Sequence, residues 1–264
     1  MIGRLLLQLI IFILCLTRAS SAAPSLAQPG CNDASGSVSI PYPFGVGKDC
    51  YLNEWFSINC NHSTPFFTHP NLNGSQVSSI SLEGQTVVVQ IATVDFCKLP
   101  ESQHTQVLDR VDLEGNPFLF SKKGNAVSVS GCGNVSLLSR QDKVLAGCST
   151  ICDNTSTAAV YPFANGSCTG INCCRTTPPS PLNFYHLKTT LDQNHRRQEW
   201  PNCTIAALGN YIFNSTSWAE SQLIWRIEES ASGYNCNYNA STEWSKQIVS
   251  IYKCLYGPYE EGNP

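Results

Sequence analysis

The chain has 264 residues, of which 42% are hydrophobic and only 13% charged, with a formal net charge of −3. With no basic tract to serve as an electrostatic footprint, that balance excludes a nucleic-acid binder. Fourteen cysteines are too many for a reducing compartment and read as the disulfide framework of an exported protein.

Arg4 precedes an apolar run from Leu5 to Leu16, and Ala19-Ser20-Ser21-Ala22-Ala23 follows. This is the layout of a cleaved signal peptide over residues 1–22. The run is shorter than the roughly 20 apolar residues that cross a bilayer. Downstream, the longest apolar stretch, Val87-Val88-Val89-Gln90-Ile91-Ala92, has only strand length. The expectation is a secreted chain with no membrane span of its own, or a plasma-membrane surface location if the chain is a fragment of a longer receptor. Cys15, Arg4 and Arg18 leave with the leader, so the mature chain keeps thirteen cysteines and sets 14 basic residues against 19 acidic ones. The thirteen are Cys31, Cys50, Cys60, Cys97, Cys132, Cys148, Cys152, Cys168, Cys173, Cys174, Cys203, Cys236 and Cys254. An odd number leaves at least one thiol free or paired between chains. The adjacent Cys173 and Cys174 point to different sides of the chain and are expected to serve two different partners.

After a linker from Pro24 to Gly30, Ile40-Pro41-Tyr42-Pro43-Phe44-Gly45 lies between Cys31 and Cys50. Two alternate prolines stiffen this segment, and Gly45 and Gly47 allow a turn toward Cys50. Tyr42, Phe44, Trp55 and Phe56 are expected to pack in a core. A first module, 31–130, reads as β throughout. Val77 to Leu82 alternates, Glu83-Gly84-Gln85 breaks the pattern, and Thr86 to Val94 resumes it. Phe118 to Phe120 and Ala126 to Ser130 read as a hairpin with Gly124 in its turn. A second module, 131–256, is denser in cysteine, with a stiff Thr176-Thr177-Pro178-Pro179-Ser180-Pro181 connector and a strand from Phe184 to Leu191. Ser217 and Glu220 form a capping-box pattern for a short helix from Trp218, and another helix is expected near Glu243 to Tyr252. Residues 257–264 read as the start of a linker or of a truncated EGF-like region. The fold class is mainly β: two small, disulfide-stapled modules with a few short helices.

Eight sequons begin at Asn61, Asn73, Asn134, Asn154, Asn165, Asn202, Asn214 and Asn239, which fits a glycosylated extracellular protein. Asn202 is the weakest acceptor, because Cys203 between it and Thr204 is expected to be bridged. Enzymatic chemistry finds little footing. There is no nucleophile elbow, no His-Glu-x-x-His and no phosphate loop. His62, His69, His104, His186 and His195 are scattered and read as solvated side chains. Cys148 and Cys152 have a zinc-like spacing, but an oxidising compartment favours disulfides. Asp109/Asp112 and Glu228/Glu229 carry no glycosidase-specific spacing and read as solvated surface. The chain is expected not to be an enzyme, with no catalytic residue, no metal ligand and no resident cofactor.

Binding has more material. Aromatic faces stack on sugar rings, and attached glycans shield what surrounds them, so a ligand face should avoid sequons. The two longest sequon-free stretches hold Lys98, Arg110, Lys122 and Lys123, and then Arg175, Lys188, Arg196 and Arg197. Lys122, Lys123, Arg196, Arg197, Lys98 and Arg110 are the candidate ligand-binding residues, with the Lys122-Lys123 and Arg196-Arg197 turns foremost. Arginine grips a carboxylate bidentately, and lysine acts as a point charge.

The quoted Ile40 to Gly45 segment with Cys50 resembles the start of the galacturonan-binding module of plant wall-associated receptor kinases. Gly131-Cys132-Gly133-Asn134, Gly147-Cys148-Ser149-Thr150, Gly166 to Cys174 and Leu223-Ile224-Trp225-Arg226-Ile227 resemble the cysteine-rich module that follows it. The resemblance covers Cys31 to the C-terminus. It implies apoplastic exposure and binding of pectin, as de-esterified homogalacturonan or oligogalacturonides, but carries over no binding residue. In that family a cysteine usually stands where this chain has Ser35, and the lost partner accounts for the odd cysteine count. The family continues into an EGF-like repeat, a membrane span and a kinase, where this chain reaches Gly262-Asn263-Pro264. With no kinase motif, no kinase activity is expected. Because the mature chain is acidic, pectin affinity should be local and salt-sensitive, or bridged by calcium between carboxylates. The competing reading is an ectodomain for a protein partner, such as a secreted peptide or a co-receptor.

Overall fold

The computed structural model describes residues 25–72, 74–95, 106–151, 168, 170–171, 173–191, 204–209 and 218–226. Short β-branched and aromatic runs, each closed by Gly, Asn, Asp or Ser, become strands. In chain order these are β1 (Ala34–Ser35), β2 (Val38–Ser39), β3 (Gly45–Val46), β4 (Ser57–Asn61), β5 (Thr64–Phe67), β6 (Val77–Ser81), β7 (Thr86–Ala92), β8 (Val94–Asp95) and β9 (Gln106–Asp112). The rest are β10 (Phe118–Phe120), β11 (Ala126–Ser130), β12 (Gly133–Leu138), β13 (Val144–Ser149), β14 (Cys173–Thr176), β15 (Phe184–Leu191), β16 (Ile205–Gly209) and β17 (Trp218–Trp225).

The strands form a β1-β2 ribbon, a three-stranded β3-β4-β5 sheet, and three four-stranded sheets ordered β10-β17-β7-β6, β14-β11-β16-β8 and β13-β12-β15-β9. Among the described residues these strand pairings are antiparallel except β3 with β4, and an isolated bridge between Ile151 and Ile171 is also parallel. Three late strands complete early sheets: β17 pairs with β7 and β10, β16 with β8 and β11, and β15 with β9. The division drawn at residue 130 is therefore crossed by hydrogen-bonded strands.

The core centres on the proline-rich segment. Ile40, Tyr42 and Phe44 are buried. Phe44 meets Phe56 edge to face at 5.2 Å and Trp225 at 5.5 Å, while Phe118 packs on Phe56 and Phe67. Each buried ring contributes about 1.5–3 kcal/mol of apolar burial. Gly45 serves close approach here, since a Cβ at this position would run into the Cys50 carbonyl. Tyr42, Phe44 and Phe56 pack as expected, whereas Trp55 is only half-buried.

Two expectations need correction. Trp218–Trp225 is a strand and not a helix, with Ala219, Ser221, Leu223 and Trp225 turned inward. Its period-two pattern is disguised because two inward residues are small, and the Ser221 hydroxyl is satisfied by the Leu208 carbonyl. Among the described residues the helical turns are short 3-10 turns at Glu54–Phe56 and Pro70–Leu72. The second helix, near Glu243 to Tyr252, lies outside the described residues. The other correction concerns β10 and β11, which enter different sheets instead of pairing as a hairpin. Between them the Asn125 side chain copies a strand's hydrogen bonds. Its amide donates to the Ser121 and Gln222 carbonyls at 2.7 Å each, and its oxygen accepts the Gln222 N–H at 2.8 Å. A Cβ on Gly124 would overlap the Gln222 side chain. The expected strands at Val77 to Leu82, at Thr86 to Val94 (as β7 and β8) and at Phe184 to Leu191 all form.

Disulfides join Cys31 to Cys50, Cys148 to Cys174 and Cys168 to Cys173, so Cys173 and Cys174 do serve two partners. Cys132 is also bridged. Cys60 is an exposed free thiol, and the Ser35 hydroxyl lies against its sulfur. The missing cysteine at position 35 thus has its orphan at position 60. Cys97, Cys152, Cys203, Cys236 and Cys254 lie outside the described residues.

Candidate functional site

β9 and β15 run side by side, with Arg110 opposite His186 and Asp112 opposite Phe184. Residues directly opposite share a face. Tyr185, Leu187 and Thr189 point into the core, and the alternate His186 and Lys188 are half-buried on the other side. Arg110 and Lys188 therefore stand on one outward face as diagonal neighbours, about 7–8 Å apart by ladder geometry. Among the described residues neither forms a salt bridge, although the Arg110 charge helps lower the Asp112 carboxyl.

Phe184 lies on the same outward face yet is only 6% exposed, because two guanidinium groups cover it. Arg110 is 5.1 Å and Arg140 4.7 Å from its centroid. Arg140 also grips Asp112 bidentately at 2.6 and 2.7 Å and reaches Glu114 at 3.1 Å. The Arg140 hydrogen bonds, aided by the Glu114 backbone N–H, hold the Asp112 carboxyl down to about 2. Asp112 is thus an ion-paired group and not simply solvated surface. His186 Nδ1 lies 3.3 Å from Asp142.

A second feature adjoins this one. The Trp55 ring, set by a 3-10 turn whose cap Asn53 accepts the Trp55 N–H at 3.0 Å, stacks on His69 at 3.6 Å with 28° between the planes. Both rings are half-buried. His69 Nδ1 accepts the Asn71 N–H at 3.4 Å, and burial lowers the imidazole below its usual value, so the ring is neutral near pH 7. His69 is thereby corrected from a solvated loop side chain to one half of an aromatic pair. Asn71, itself exposed, donates its side-chain amide to the Asp112 carbonyl at 2.9 Å, tying the aromatic pair to the end of β9.

The fold thus brings Arg110 together with Lys188. Lys122 and Lys123 are exposed on the connection between β10 and β11, beside β17, and belong to other sheets. Arg175 is exposed on β14. Lys98, Arg196 and Arg197 lie outside the described residues. Of the sequons, Asn61 and Asn134 are exposed, and Asn73, Asn154, Asn165, Asn202, Asn214 and Asn239 lie outside the described residues. Asn134 pairs with Thr190 and donates to its hydroxyl at 3.4 Å, one step along the same face from the Ser136–Lys188 pair. A stretch free of sequons in sequence is thus not free of them in space: a glycan on Asn134 would crowd Lys188 and leave the Arg110 end open. Period-two reading of Phe184 to Lys188 could have put His186 beside Lys188, whereas Arg140 and the Trp55–His69 pair have no local signal. Among the described residues, no three His, Cys, Asp or Glu side chains gather to hold a metal ion, and no helix is long and apolar enough to cross a membrane.

Residues 31–91, which carry the proline-rich core segment, Trp55, His69 and Asn71, match the family described as wall-associated receptor kinase galacturonan-binding. Wall-associated receptor kinase-like 6 of Arabidopsis thaliana is 32% identical over 234 residues, 77% of this chain and 35% of the relative. Over most of its length the chain is similar to the wall-associated receptor kinases. Wall-associated receptor kinase-like 3 of the same plant is 30% identical over 281 residues, covering 94% of this chain and 38% of the relative. For wall-associated receptor kinase-like 4 the identity is 33% over 227 residues, 80% of the chain and 28% of the relative. The chain spans 28% to 38% of the length of these wall-associated receptor kinase relatives.

Proposed function

We propose that this chain is an extracellular, glycosylated polysaccharide-binding protein that recognises cell-wall pectin, as de-esterified homogalacturonan or its oligomers, and performs no catalysis of its own. The match of residues 31–91 to the galacturonan-binding family carries this reading. The outward face that brings Arg110 and Lys188 together, neither in a salt bridge among the described residues, supports it, because a polyuronate needs local cations on a chain whose net charge is negative. Retention on immobilised polygalacturonate, compared with fully methyl-esterified pectin, tests it. Binding to the acidic polymer that weakens with added salt is the expected result; equal retention on both, or none, rejects it. Retention unchanged by a chelator would remove calcium bridging from the account.

A protein partner is the second reading. β13 lies at the end of its sheet among the described residues and carries Val144, 69% exposed, beside Leu145. An exposed apolar edge strand suits pairing with another chain. Failure to bind pectin together with saturable binding of a secreted peptide would favour it.

A further inference from the structure

We propose that the stacked Trp55–His69 pair is the sugar-ring platform of the pectin-binding surface, at one end of a track that crosses Asn71 and ends on Arg110. The proposal rests on the pectin-binding reading and gives it residues. A uronate ring presents one apolar C–H face and one carboxylate, so its receptor needs a flat aromatic surface and, further along the chain, a cation. Trp55 and His69 supply the first: two half-buried rings stacked at 3.6 Å, outside the closely packed aromatic core. His69 accepts the Asn71 N–H through Nδ1, which keeps the platform neutral and lets it act by apolar contact.

Continuity is set by hydrogen bonds. Asn71 reaches from the His69 turn to the Asp112 carbonyl at 2.9 Å, and Asp112 lies opposite Phe184, whose ring Arg110 covers. Of the nearby acids, Arg140 holds Asp112 and Glu114, so these two do not repel a polyanion at full strength, while Asp142 lies against His186 at 3.3 Å. Arg110, which forms no salt bridge among the described residues and covers the Phe184 ring, presents its guanidinium on this face for a carboxylate. The far end of the same face is bordered by the Asn134 sequon, so the open direction from Arg110 runs toward Asn71.

The test is isothermal titration of the full chain, produced with its glycans, with de-esterified oligogalacturonides at two salt concentrations. His69→Ala and Trp55→Ala should each weaken binding about three- to tenfold with the salt dependence unchanged, and Trp55→Phe should restore most of the loss. Arg110→Ser should weaken binding and flatten the salt dependence. His69→Ala keeps the test decisive if Trp55→Ala folds poorly, because Trp55 also packs against the core. Wild-type affinity in His69→Ala overturns the platform while the pectin reading stands. No binding by the wild-type chain rejects the reading itself.

Discussion

The Ser35 hydroxyl lies against the Cys60 sulfur, and Cys60 is a free thiol. The β1-β2 ribbon thus rests on β4 at a point where a single atom separates a contact from a covalent bond. Ser35→Cys is expected to form the missing bridge. Closing a loop of this span stabilises by about 3 kcal/mol in the chain-entropy account. Thiol titration of the unfolded chain should fall by one, and the urea midpoint should rise. A variant that keeps both thiols under oxidising conditions contradicts this expectation.

Acid should act on the Asp112–Arg140 pair. Asp112 is held down to about 2, below the unfolded carboxyl value near 3.9. The folded state binds this proton less readily than the unfolded one. Its stabilising contribution is therefore fully present above about pH 4 and disappears as pH falls toward 2. Wild type and Asp112→Asn should differ in urea stability at pH 6 and converge near pH 2. The pair is partly exposed, with side-chain exposures of 36% and 31%, so the difference should be small and reduced by salt.

Trp225 belongs to a late strand but packs on Phe44 and Phe56 of the early core. Trp225→Ala should cost about 3–5 kcal/mol, as should Phe44→Ala. Because β17 is the interior strand between β7 and β10, the loss should appear as one cooperative shift of the denaturation curve.

Asn125→Ala removes three hydrogen bonds at the point where β10 and β11 diverge. Leaving the Gln222 N–H without its side-chain acceptor should cost about 1–3 kcal/mol. Asn125→Asp keeps the acceptor but buries a carboxylate against the Ser121 and Gln222 carbonyls, so thermal unfolding should place it below the alanine variant.

Local chemistry determined much of this protein. The cysteine count, the alternating runs at Val77 to Leu82 and Phe184 to Leu191, and the rigid Pro41-Tyr42-Pro43 segment made a disulfide-stapled β protein legible, because strands and turns follow period-two patterning and backbone restriction over a few residues. The substitution at position 35 likewise announced an unpaired cysteine. Tertiary structure decided which cysteine it was, since pairing depends on Cα proximity across the fold. It also turned Trp218–Trp225 into a strand, because pairing between β7 and β10 buries Ala219 and Ser221 on the same face as Leu223 and Trp225, a constraint invisible along the chain. Arg110, Lys188, Phe184, Arg140 and Asn134 likewise became neighbours only through strand register. A binding surface built from cross-strand neighbours is set by which strands pair, and that choice belongs to the whole core.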